Sequence, residues 1–110
     1  MVNPISALFA DGITETFILE NEYEILGMIK ADIGLGAVMI HPTLYKTTKT
    51  TVLAIKNLFK EVSKRMKDKY KFNVVSAVTH NYKFVNIITE NKAIIVMQED
   101  DNIVYEMEIV

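Results

Sequence analysis

The order and spacing of apolar residues predict one α+β domain with a mostly antiparallel sheet and a single β-α-β crossover. Two clusters of short apolar runs, before residue 43 and after residue 71, flank one long amphipathic segment. Half of the 110 residues are apolar, enough for one modest core, and a mean hydropathy of +0.18 excludes a disordered chain.

Composition narrows the classes further. No apolar run approaches the roughly 18 residues of a membrane span. The start of the chain does not resemble a secretory signal. Zero cysteines exclude disulfides and thiolate metal sites, so a cytoplasmic protein is the default expectation. The net charge of −2 is unevenly spread: nine of the 12 Lys and Arg residues lie between Lys46 and Lys71. That basic stretch is read first as a solvated helix face and second as a surface for an anionic partner.

The elements follow in order. Ile5–Ala10 predicts a short helix ended near Gly12, with Pro4 in its first turn. Thr14–Leu19 reads as a strand, Asn21-Glu22 as a two-residue turn, and Tyr23–Lys30 as a buried strand in which Gly27 permits a bulge or close backbone approach. Asp32–Gly36 turns into the apolar strand Ala37–Ile40, closed by His41-Pro42, which completes a three-stranded meander. After the polar loop His41–Thr51, a helix begins near Thr50. Val52, Ile55, Phe59, Val62 and Met66 share one face of it. Lys56, Lys60, Lys64, Lys67 and Lys71 fall within an arc of roughly 80° beside that face. Glu61 and Arg65 are spaced to pair, and the helix frays by about Tyr70.

Phe72–Val78 is a buried strand, parallel to the one before the helix. His80-Asn81 caps a shorter helix with Phe84, Val85, Ile87 and Ile88 inward, ended near Asn91-Lys92. Ala93–Met97 and Ile103–Ile109 form a hairpin around Glu99–Asn102, with Ile103, Tyr105, Met107 and Ile109 on one face of the last strand.

The loop is the first candidate site. A strand that runs through a polar loop into a helix N-terminus presents free amides and the positive end of the helix dipole to an anion. Lys46 and Lys49 add cations there, and Thr47, Thr48, Thr50 and Thr51 add hydroxyls. Other chemistry is sparse. His41 at a strand end reads as a hydrogen-bonding residue rather than a base, and His80 as a helix-start residue. Neither belongs to a metal motif. No Gly-x-Ser-x-Gly, Walker loop or nucleic-acid pattern is present. The acidic pair Asp100-Asp101 reads as a hairpin tip.

This element order resembles the GNAT N-acetyltransferase fold. Pro42 and Tyr45 fall in step with that family's pyrophosphate loop, and Lys46 takes its Gln/Arg place. Val78, Asn81, Phe84 and Ala93 match the later strand, Asn, helix and hairpin. The length and the run Lys56–Ala93 are similar to small GNAT-like proteins of short-tailed bacteriophages. The resemblance spans roughly residues 14–109, a single truncated domain. It departs from the family at three places: Lys49 and Thr51 replace the loop glycines, and Ile88 stands where the family's general acid is a Tyr. No carboxylate has a clear general-base place, since Glu24 and Asp32 lie at strand ends.

The resemblance implies a degenerate acetyl-coenzyme A site with no cofactor expected. The chain would then be a non-catalytic interaction or virion-assembly protein of phage type. A phage or host protein would be its partner, a homodimer could form, and neither membrane nor nucleic acid would be bound. The alternative is an acyl-coenzyme-A-binding N-acetyltransferase with an atypical loop. There the amides near Met39 and Ile40 would hold pantetheine, Lys46–Thr51 the phosphates, and Asn81 a cofactor amide. A third reading is an inhibitor of a host defence protein.

Overall fold

The computed structural model describes residues 13–79, 82–100 and 102–109. The expected helix over Ile5–Ala10 and the cap at His80-Asn81 lie outside them. Eight elements follow in chain order: β1 (Ile13–Glu20), β2 (Ile25–Ile33), β3 (Val38–Leu44), α1 (Lys49–Tyr70), β4 (Val74–Thr79), α2 (Tyr82–Ile88), β5 (Ile94–Glu99) and β6 (Asn102–Glu108). The six strands form one sheet in the order β1-β2-β3-β4-β6-β5. All neighbours are antiparallel except β3 and β4, which are parallel on either side of α1. The α+β reading holds.

Strand alternation sorts the sheet into two faces. Phe17, Leu19, Ile29, Ala31, Ile33, Val38, Ile40, Val75, Met107 and Ile109 pack with Ile55, Phe59, Val62 and Met66 of α1 into the core. Val52, expected on that helix face, is only half-buried, and Thr51 is buried beside Ile55 instead. Each fully buried Ile or Phe on this seam contributes about 1.5–3 kcal/mol relative to exposure. On α2, Val85 and Ile88 are buried, but Ile87 is 48% exposed rather than inward. In a helix of seven residues it falls about 100° from Ile88 and outside the apolar arc. On the opposite sheet face Ile18, Val74, Val78, Ile94 and Met97 are exposed, and no described helix covers them.

Several boundaries move for identifiable reasons. The β1–β2 loop is four residues, not two, because the Asn21 carboxamide oxygen accepts from the amides of Tyr23 (2.8 Å) and Glu24 (2.9 Å). This Asx turn leaves Tyr23 at the tip instead of in a strand. Strand β3 continues through Pro42 to Leu44. The Tyr45 amide donates to the Leu26 carbonyl at 2.9 Å. Alternation of amide direction therefore turns the Pro42 nitrogen away from β2, whose ladder it does not interrupt.

Gly27 is the close approach anticipated for it: a Cβ there would lie 2.7 Å from the Thr43 carbonyl oxygen. Helix α1 ends at Tyr70 in a Schellman-type turn. Lys71 sits at φ 65°, and the Lys71 and Phe72 amides donate to the Lys67 and Met66 carbonyls, both at 3.1 Å. The shorter helix stops at Ile88 rather than near Asn91, because Glu90 and Asn91 adopt left-handed φ values of 55° and 61°.

Candidate functional site

The His41–Thr51 segment is built as a helix start. Thr48 is the N-cap of α1, and its hydroxyl accepts from the Thr51 amide at 3.2 Å and meets the Thr51 hydroxyl at 2.8 Å. That cap occupies one of the amides an anion would otherwise use. Lys49 and Thr50 begin the helix with exposed side chains, and the first turn holds no acid. The Lys49 side chain is therefore turned to solvent. Lys46 is anchored to Glu24 (Nζ to Oε1, 3.3 Å). Thr47 is exposed beside it. Lys46, Thr47, Thr48, Lys49 and Thr50 thus form one continuous polar rim at the end of β3, with Thr51, expected among them, buried behind it.

Behind this rim the sheet opens. Strand β3 runs four residues beyond Ile40, yet its parallel ladder with β4 contains only Met39↔Ser76 and Ile40↔Ala77. Pro42 explains the stop, because the nitrogen turned toward β4 carries no hydrogen and cannot donate the next bond. Met39 and Ile40, expected to offer amides, are the last paired positions; the unpaired edge starts at His41. Asn81 lies outside the described residues.

At this fork, on the face away from the helices, stands a polar chain that sequence reasoning missed. His41 Nε2 lies 3.0 Å from Asp32 Oδ2, and the Thr14 hydroxyl donates to Asp32 Oδ1 at 3.0 Å. Asp32 sits inside β2 rather than in a turn. Register places Asp32 opposite Met39 and Lys30 opposite His41, so the two side chains meet diagonally on one face. The Gly34 amide bond to the Ala37 carbonyl (2.9 Å) fixes that register. Counting back from this turn was the available signal. The side chains of His41 and Asp32 remain 42% and 29% exposed, open enough to meet a ligand and ordered enough to keep their geometry.

The lysine stripe divides. Lys60 pairs with Glu90, with Lys56 (3.5 Å) and Lys92 (3.9 Å) close by. The Lys60 hydrogen bond, helped by the charges of Lys56, Lys60 and Lys92, holds the Glu90 carboxyl below its ordinary range. Arg65 does not pair with Glu61. It forks onto Glu15 of β1, with Nη2 to Oε2 at 2.8 Å and Nε to Oε1 at 3.1 Å. That hydrogen bond outweighs desolvation and lowers the Glu15 carboxyl as well. A bidentate fork across the core edge is worth more than a helix-surface pair, so the distant partner wins. Much of the basic stretch is therefore structural.

No group of metal-ligating side chains occurs among the described residues, and no described helix is long and apolar enough to cross a membrane. No family model matches the sequence, and no curated protein does. Solved structures do resemble it. An N-acetyltransferase, PseH, of Campylobacter jejuni aligns over 86% of this chain and 67% of its own, with TM-score 0.68 and 17% identity. Its complex with acetyl coenzyme A aligns with TM-score 0.67. Aminoglycoside 6′-acetyltransferase type Ii covers 88% of this chain and 70% of its own, with TM-score 0.70 and 15% identity. Escherichia coli ElaA aligns over 86% and 68%, with TM-score 0.66 and 14% identity. The fold is that of the GNAT acetyltransferases.

Proposed function

We propose that the chain is an acyl-coenzyme-A-dependent N-acyltransferase whose atypical loop replaces glycine amides with lysine and threonine side chains. The observation that carries this reading is the fork, where the β3–β4 ladder stops at Ile40 and Ala77 with His41 and Asp32 on its rim. Likeness to acetyltransferases, one of them bound to acetyl coenzyme A, supports it over the non-catalytic phage-type reading.

Residues at the fork fit a thioester cofactor. The unpaired edge from His41 to Leu44 leaves backbone groups for the amides of a pantetheine arm, and Lys46, Lys49 and the hydroxyls of Thr47 and Thr50 suit phosphates. The Thr48 hydroxyl would release the Thr51 amide when a phosphate takes its place. Acetyl coenzyme A supplies a thioester-activated acyl group. The chain itself must bind an acceptor amine and remove its proton.

His41 is the residue for that task. In the tautomer whose Nε2–H donates to Asp32 Oδ2, at 3.0 Å, the Nδ1 lone pair is free to accept a proton from an acceptor ammonium. Asp32, itself held by Thr14, orients the imidazole and stabilises the imidazolium that forms.

The non-catalytic reading, an interaction, virion-assembly or host-inhibitor protein, keeps one observation of its own. Ile88 is 2% exposed in the core and cannot donate a proton. Titration calorimetry with acetyl coenzyme A separates the two. Acyl transfer predicts micromolar binding that falls at least tenfold on changing Lys46 and Lys49 together to Glu. Changing His41→Gln should slow transfer to a panel of primary amines by about 10²–10⁴-fold while leaving cofactor affinity intact. No binding at millimolar acetyl coenzyme A would remove the proposal.

A further inference from the structure

A second cleft in the described molecule lies away from the fork rim. It lies between the C-terminal half of α1, the turn after α2 and the end of β6, and encloses about 480 Å³. That volume is within the range of small-molecule sites. Ser63, at its wall, is fifteen residues along α1 from the Thr48 cap, about 22 Å at the helical rise.

The floor is apolar, made by Phe59, Ile88, Met107 and Ile109. Two buried hydroxyls interrupt it, and that of Thr89 donates to the Val85 carbonyl at 2.6 Å. The Ser63 side chain is 96% buried, since the residue is only 4% exposed. Its hydroxyl has no hydrogen-bond partner among the described residues, although a mid-helix serine can bond the carbonyl one turn back. The oxygen itself is closed to solvent, but the residue lines the cavity, so a rotation about its χ1 would bring the hydroxyl to a partner there.

The rim adds charge. Of its lysines, Lys60 and Lys92 belong to the Glu90 group. Lys67 donates to the Ile109 carbonyl at 3.2 Å, which leaves its charge uncompensated. Lys64 is exposed and has no carboxylate partner among the described residues. Two other acids reach the cleft. By register Glu108 opposes Val74, on the sheet face away from the helices. The lining as a whole holds four lysines against Asp68, Glu90 and Glu108, a net charge of +1.

We infer that this cleft is a second binding site, for a small amphipathic carboxylate whose alkyl or aryl body covers the apolar floor. In it the carboxylate is neutralised by Lys64 and Lys67 and accepts from the Ser63 hydroxyl once that side chain rotates toward it. The site is separate from the His41–Thr51 rim, although Phe59, Ile88 and Met107 also line the small cavity beside Ile40 and Ala77.

Decanoate is the probe, followed by amide chemical shifts of the full chain and by calorimetry. The expected result is submillimolar binding, with shifts centred on Ser63, Ile88 and Ile109 and at least tenfold weaker binding of decanol. Changing Lys64→Glu, an exposed substitution that leaves the core intact, should weaken decanoate at least fivefold without weakening decanol. Ser63→Ala should weaken decanoate too, and its urea midpoint shows whether the fold is kept. Equal affinity for decanol and decanoate would overturn the assignment. So would shifts centred on His41–Thr51, or indifference to Lys64→Glu.

Discussion

Replacing Gly27 by alanine tests how tightly the sheet is fitted under the start of α1. The new methyl carbon would stand 2.7 Å from the Thr43 carbonyl oxygen and 3.4 Å from both Ile55 Cδ1 and Leu44 Cδ2. Ordinary contact requires the carbonyl to retreat by about 0.7 Å. That carbonyl is backbone, in register with Met28 across the β2–β3 ladder, and the two side chains close the lateral escape. Overpacking of this kind costs about 1–3 kcal/mol. Gly27 has no positive φ, so alanine also gains about 0.4–1 kcal/mol by restricting the unfolded chain. The net loss should be about 1–2 kcal/mol. With a urea slope of about 1–3 kcal/mol/M the midpoint should fall by about 0.3–2 M. An unchanged midpoint would show that β3 yields freely at Thr43 and would refute the close-approach argument.

Two further outcomes follow from charge and backbone geometry. Changing Glu15→Gln removes the Arg65 fork and should cost about 0.5–1 kcal/mol at pH 7, the pair being partly exposed. Because the folded carboxyl titrates below its unfolded value, its stabilisation is complete above the unfolded pKa and is lost as pH falls through the folded one. Urea midpoints of variant and parent should therefore converge toward pH 2; a gap that persists there would contradict the pairing. Changing Lys71→Gly places at φ 65° the residue that adopts it without strain, and should raise stability by about 0.5–1 kcal/mol. A fall in thermal midpoint would mean that the lysine's bond to the Asp68 carbonyl (2.9 Å) outweighs the strain.

Legibility tracked the range of the interaction responsible. The face of α1 from Ile55 to Met66 was readable because its period is local, and so was the alternation of β6. Pro42 was read as an end to β3 because the direction of its missing donor depends on which neighbour lies on each side. Arg65 was assigned to Glu61, four residues away, because Glu15 is fifty residues distant and joins it only through the packing of β1 against α1. The loop Lys46–Thr51 was found from its composition. The His41–Asp32–Thr14 chain was not, since it arises from a diagonal across one hairpin and a pairing across another. The cleft at Ser63 needs three separate elements and leaves no mark on any one of them.

The two-residue seam between β3 and β4 has a consequence for how the molecule assembles. On one side lies the β1–β2–β3 meander and on the other the β4–β6–β5 ladder, each joined by full-length antiparallel pairings. Met39↔Ser76 and Ile40↔Ala77 span a separation of thirty-seven residues, the whole of α1 and its flanks. Closing that loop costs chain entropy before any bond across it is gained, and only two residue pairs then return it. Each half can form on its own schedule, and the junction is the step that α1 must template. The open fork is thus also the joint at which the two halves are least firmly fastened, and exchange of backbone hydrogens should be faster there than along the β2–β3 and β4–β6 ladders.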